Sequence, residues 1–213
     1  MASDEYKPTM ERFLADVANH KMEIVMDNGV HRHLVFRGNG HGTVGKVEIV
    51  TFPWSLVVTG DMGTWVFSRV SDMFCFFRDS GGRINPYYWS EKVQNGSGGS
   101  RGETGCKEYC SVTFKQNVIA SLDDYDFNDY DDVTKEQVIE ALNSEIYWDM
   151  SRENVVGQLD DLAVGGWSIS EPYEIESEKW CYHYIWCCRF IVWAINQYDK
   201  EKCGEVGETK INE

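Results

Sequence analysis

The sequence predicts an α+β protein: an N-terminal antiparallel β-meander with flanking helices, followed by a mainly helical, acidic lobe. Three observations carry this. Between Lys21 and Arg69, short runs rich in valine, isoleucine, threonine and aromatics alternate with Gly, Asn, Asp and Pro, the punctuation of hairpins. Beyond residue 110 the apolar residues recur at helical spacing instead. The charge also divides. Residues 1–100 hold ten Lys and Arg against eleven Asp and Glu, and residues 101–213 hold ten against twenty-four, so nearly all of the net −15 belongs to the second half.

Taken in order, Met10, Phe13, Leu14 and Val17 define one face of a short helix that starts after Pro8. Lys21 to Met26 and Val30 to Phe36 read as strands separated by Asp27-Asn28-Gly29, whose Asn-Gly supplies the positive φ angles of a tight hairpin. The meander continues through Val47 to Phe52, Ser55 to Thr59 and Thr64 to Arg69, punctuated by Pro53 and by Gly60-Asp61-Met62-Gly63. Ser71 reads as the N-cap of a helix through Phe77, and Asn85-Pro86 as the cap and first turn of another through Val93. Trp65, Phe67, Phe74, Phe76 and Phe77 have core spacing; Tyr87-Tyr88-Trp89 cannot all face inward. The Gly/Ser stretch at residues 95–102 has the composition of a linker or long loop: it separates a lobe at 1–94 from one at 103–200, or forms a mobile loop within one α+β domain.

In the second lobe Phe114, Val118, Ile119 and Leu122 form one helical stripe. Thr134 and Gln137 make a capping box ahead of Val138, Leu142 and Ile146, and Val155, Val156, Leu159 and Leu162 form a third stripe. After Gly165-Gly166 and Pro172 comes the most apolar helix, Glu178 to Gln197, which includes Trp180, Trp186 and Trp193 and is expected at the buried centre. Residues 201–213 read as a flexible tail.

Composition narrows the function. With 213 residues, 42% apolar and 14% aromatic, the chain can build a core without staples. Its net charge and a pI near 4.7 disfavour direct nucleic-acid or anionic-membrane binding and favour a basic partner. Seven irregularly spaced cysteines argue for a reducing compartment rather than a disulfide framework. The start MASDEYKPTMERF lacks a signal-peptide pattern, and the segment from Trp180 to Ile195, broken by His183 and Arg189, is too short and too polar to span a bilayer. A cytoplasmic protein is expected.

The stretch SLDDYDFNDYDD, residues 121–132, holds six aspartates and no Lys or Arg. Asp124, Asp126 and Asn128 match the opening of an EF-hand loop, but Asp129 and Lys135 stand where its glycine and bidentate glutamate are required, so no calcium site is expected. Two readings stay open. The carboxylates of Asp123, Asp124, Asp126, Asp129, Asp131 and Asp132 can imitate a row of phosphates and occupy a basic groove, with Tyr125 and Tyr130 as aromatic anchors. Asp160, Asp161, Glu174, Glu176 and Glu178 extend such a face. The plainer alternative is a solvated surface leading into a helix N-terminus.

Other clusters carry less. Cys106, Cys110, Cys181, Cys187 and Cys188 with His183 lack the knuckle spacing of a zinc site, and no metal or cofactor is assigned. His31 and His33 share a strand face, with His41 in a Gly-rich turn nearby and Asp61 two strands later. They are the alternative, a small hydrolase or nucleotide-modifying enzyme, although no nucleophile elbow or phosphate loop accompanies them. No catalytic residue is assigned.

Three stretches, VTFPWSLVVTGDMGTWVFSRVSDMFCFFR, INPYYWSEKV and YIWCCRFIVWAINQYDK, resemble a group of uncharacterised proteins encoded by bacteriophages, prophages and plasmids. The resemblance covers about two thirds of the chain and brings no catalytic residues with it. It implies a role in host-defence evasion within the host bacterial cytoplasm. The expected mode is a DNA-mimicking inhibitor of a CRISPR or restriction system that binds a basic host protein or nucleoprotein complex stoichiometrically.

Overall fold

The structure of the protein, a computed structural model, describes residues 9–38, 44–78, 81–97, 105–130 and 133–209, with side chains for all of these except Ser97, Asp129 and residues 204–209. Six strands, β1 (Lys21–Asn28), β2 (His31–Arg37), β3 (Lys46–Phe52), β4 (Ser55–Gly60), β5 (Gly63–Ser68) and β6 (Val93–Ser97), pair antiparallel in chain order. This is the meander the turn signals predicted. The first turn differs in detail. Asn28 pairs with His31, leaving a two-residue loop in which Gly29 (φ 63°) alone takes a positive φ at the first central position. In the β3–β4 hairpin Pro53 fixes the first central residue and Trp54 takes a φ of 72°, a place usually held by glycine. The Trp54 N–H donates to Ser71 O (3.2 Å), and its side chain is left exposed.

The sixth strand is absent from the sequence reading, which ran a helix through Val93 and opened a linker at Asn95. The register explains it. Ile24, Leu34, Ile49, Val58 and Trp65 form one row across the core face of the sheet, and the row ends at Gly96. A β-carbon on Gly96 would lie 2.3 Å from the buried Trp65 ring, so the strand can pair with β5 only where it carries no side chain. Gly96→Ala is therefore expected to cost about 1–3 kcal/mol by displacing a rigid, fully buried indole. Urea denaturation checks this. Residues 98–102 of the expected linker lie outside the described residues.

One face of the sheet must be covered. The local helices α1 (Met10–Val17), α2 (Met73–Arg78) and α3 (Pro86–Ser90) have only 8, 6 and 5 residues. On α1, Phe13 and Val17 are buried while Met10 and Leu14 of the expected face are half exposed. The N-terminal N–H of α2 at Phe74 is satisfied by the Asp72 carboxylate (2.9 Å), not by the expected Ser71. Asn85 caps α3 as expected, accepting from the Tyr88 N–H at 3.2 Å; Trp89 turns inward and Tyr87 faces solvent. The remaining cover is the late helix, which runs from Tyr182 to Thr209 after a three-residue strand, Glu178–Trp180, where the sequence reading began the helix. Its buried Tyr184, Trp186, Phe190, Ile191, Ala194 and Ile195 share one core with the sheet residues.

The chain accordingly groups as residues 1–106 with 180–213, and residues 107–179 as a second unit. The late helix, assigned from sequence to the acidic lobe at 103–200, belongs to the sheet, because only a long, broadly apolar helix can cover six strands. It also takes up residues 201–209 of the expected tail. Among the described residues no helix is long and apolar enough to cross a membrane.

Among the described residues of this first unit one charged side chain is buried, that of Arg32. Arg32 donates both terminal nitrogens to Asp72 (2.9 and 3.0 Å) and lies 4.6 Å from the Phe74 ring centroid. Burial pushes the Asp72 carboxyl up, but the Arg32 guanidinium and the Phe74 N–H together outweigh it and hold the carboxyl below its usual range. A depressed folded-state value contributes stability that is complete above the unfolded value, about 3.9, and is lost as pH falls through the folded value. Asp72→Asn should therefore flatten the loss of stability below about pH 4 relative to the unaltered protein in an acid series of urea titrations.

Candidate functional site

The second unit begins with strand β7 (Lys107–Tyr109), which pairs with β8 (Glu178–Trp180). Between them lie α4 (Ser111–Ser121), α5 (Lys135–Glu145) and α6 (Arg152–Asp161); the late helix is α7. All three expected stripes are found, burying Phe114, Val118 and Leu122, then Val138 and Leu142, then Val155 and Leu159. The capping box is present: the Thr134 hydroxyl accepts from the Gln137 N–H (3.3 Å), and the Gln137 side-chain oxygen accepts from the Thr134 N–H (2.8 Å).

The acidic stretch joins α4 to α5 through two short 3-10 turns, Leu122–Asp124 and Phe127–Asp129. Its aromatics point home. Tyr125 and Phe127 pack on the fully buried Trp167, with ring centroids 5.4 and 6.3 Å away, and the Tyr125 hydroxyl accepts from the Ser170 N–H (2.8 Å). Tyr130 is half-buried against the same core. Tyr125 and Tyr130 thus moor the stretch on its own unit, and the outward surface is left to carboxylates. Asp123, Asp124 and Asp126 are exposed. Asp126 accepts from the Asn128 N–H (3.0 Å) and side-chain amide (2.8 Å), and Asp123 is ion-paired with Lys135. The side chain of Asp129 and all of Asp131 and Asp132 lie outside the described residues.

Trp167 escaped the sequence reading, although a signal preceded it. Gly165 and Gly166 (φ 54° and 86°) form a two-residue turn that lets Val164 and Trp167 exchange backbone hydrogen bonds of 2.9 and 2.8 Å. A Gly-Gly turn between apolar residues marks a miniature hairpin, and the bulky residue after it is the natural core anchor.

The negative surface is wider than this stretch. Residues 107–179 contain eighteen Asp and Glu against five Lys and Arg, a net of −13 out of the whole chain's −15. Each cation is engaged within the unit. Lys107 pairs with Glu176, Lys135 with Asp123 and Lys179 with Glu108. Arg152 donates to Ser177 Oγ (2.7 Å) and to the Tyr173 carbonyl, and Lys115 stands 5.7 Å over the Trp148 ring. Asp160, Asp161, Glu174, Glu176 and Glu178 are all exposed. The field registers on Tyr173, whose phenol is pushed up by Glu171 first and further by Glu174 and Asp160.

Among the described residues His31, His33 and Asp61 do not come together in one site. The Nε2 of His33 meets Glu48 at 2.8 Å, and His31 is exposed. Asp61 accepts from the Gly45 N–H (2.7 Å), holding a turn. His33 pairs with Val50, whereas Asp61 sits beside Lys46, four residues away along β3, or about 13 Å at the strand rise. His41 lies outside the described residues. Burial pushes the Cys106 thiol up to about 11 and raises those of the wholly buried Cys187 and Cys188 as well, as for thiols that act as small hydrophobes. Comparison with protein families, with curated proteins and with solved structures gives no match to this chain.

Proposed function

We infer that this protein acts by stoichiometric binding, its acidic unit presenting carboxylates to a basic surface that otherwise holds nucleic acid. The observation that supports this reading is the net −13 on 73 residues whose own cations are all engaged internally. Such a unit attracts polycations over a Debye length of about 8 Å at physiological salt and repels nucleic acid. The mooring of Tyr125 and Phe127 on Trp167 fixes the aspartates before binding, so little order is lost on association. The resemblance to bacteriophage, prophage and plasmid proteins directs the reading to a CRISPR or restriction nucleoprotein or nuclease in the host bacterial cytoplasm.

Affinity capture from a bacterial lysate at two salt concentrations tests it. A retained nucleic-acid-handling protein that is released by raised salt is the expected result. A captured protein that stays bound irrespective of salt, or no captured protein at all, would contradict it.

A further inference from the structure

The acidic unit also carries a pocket of about 560 Å³ beside the N-terminal end of α4, walled by Val112, Lys115, Tyr147, Trp148, Asp149 and Met150. The acidic stretch follows the other end of that helix, about 16 Å away at 1.5 Å per residue for its 11 residues. The two are separate features of one surface.

Three properties decide what the pocket suits. Its walls are apolar and open: Val112 of α4 and Tyr147 and Met150 of the loop between α5 and α6 are 48%, 72% and 47% exposed, and together they make one apolar patch. It is held in shape, because the Trp148 indole N–H donates to Leu142 O (3.0 Å) and the Tyr147 N–H to Gln158 Oε1 (2.9 Å). The Gln158 amide nitrogen in turn lies 3.4 Å from Met150 Sδ. Its charge environment is negative. Within the lining Lys115, which lies over the Trp148 ring face, is matched in charge by Asp149; beside the loop Glu145 and Glu153 are exposed, whereas Arg152 is engaged by Ser177 Oγ and the Tyr173 carbonyl.

An apolar, preformed pocket with an anionic surround rejects nucleotides and acidic peptides and favours a cationic segment carrying a large apolar side chain. Tyrosine and methionine are the wall residues best suited to such an anchor, one rigid and amphipathic, the other adaptable. We propose that this pocket receives an aromatic or large aliphatic side chain from a lysine- or arginine-rich segment of the basic partner. The proposal rests on the polyanion reading and adds to it a specific apolar anchor. Charge alone brings the partner in, and the pocket sets its register.

The test uses the full chain and three labelled peptides: an oligolysine with a central tryptophan, the same peptide with alanine there, and an oligoglutamate with tryptophan. Fluorescence anisotropy at physiological salt should show the lysine–tryptophan peptide binding roughly tenfold tighter than its alanine counterpart. The Met150 methyl resonance should shift on addition of the tryptophan peptide only. Tyr147→Ala and Met150→Gln, both at exposed positions, should erase the tenfold difference without changing the alanine peptide's affinity. Equal affinity of the two lysine peptides for the unaltered protein would overturn the pocket and leave the polyanion reading standing. Failure of both lysine peptides to bind would overturn both. Tight binding of the glutamate–tryptophan peptide would overturn the assignment of a basic occupant.

Discussion

Trp167→Ala is expected to lower the stability of the second unit by about 3–5 kcal/mol, a large share of the roughly 5–15 kcal/mol that holds a domain folded. The indole has no exposed surface and lies at the meeting point of the Val164 bridge, Tyr125 and Phe127. Removing it opens a cavity that backbone collapse can fill only in part, because the Gly165-Gly166 turn pins one wall. The two rings that hold the acidic stretch lose their platform at the same time. Urea denaturation should show the loss of stability, and partner binding should weaken in the fraction that remains folded. Trp167→Phe, which keeps a ring in place, should recover most of both.

The triple charge reversal Asp123→Lys, Asp124→Lys, Asp126→Lys is expected to weaken partner binding by roughly a hundredfold, about 1 kcal/mol for each reversed charge. The three side chains are exposed. The pair that Asp123 forms with Lys135 is a surface one, so its loss affects stability little. The slope of affinity against salt should become shallower in the same variant, because fewer charges remain to be screened. Unchanged affinity would remove this stretch from the interface and leave the remainder of the acidic unit to account for binding.

Much of this fold was legible in local chemistry. Turn residues marked five of the six strands of the sheet, and Thr134 with Gln137 announced α5. What stayed hidden depends on partners distant in sequence. Gly96 looks like linker until Trp65 is known to lie across it. The late helix looks like part of its neighbours until the sheet is seen to need a cover that α1, α2 and α3 are too short to supply. Asp72 displaces Ser71 as the α2 cap because it also serves Arg32, 40 residues earlier. At the candidate site the charge was plain in the sequence, but the direction of the tyrosines was not. Alternation of Asp with aromatics is compatible with rings facing outward or inward, and only the hairpin at Trp167 turns them in. The pocket at Tyr147 and Met150 has no sequence signature, because it is formed by α4 and the loop between α5 and α6 together.

The account stands on one idea, that a basic surface made for nucleic acid accepts this polyanion in its place. The direct measurement is competition: a protein captured by the acidic unit, loaded with a labelled duplex or guide RNA, is titrated with this one. Release of the nucleic acid at stoichiometric protein, with an apparent affinity that falls as salt rises, is the predicted result. A stable complex that holds both protein and nucleic acid, with the label undisturbed at saturation, would contradict it.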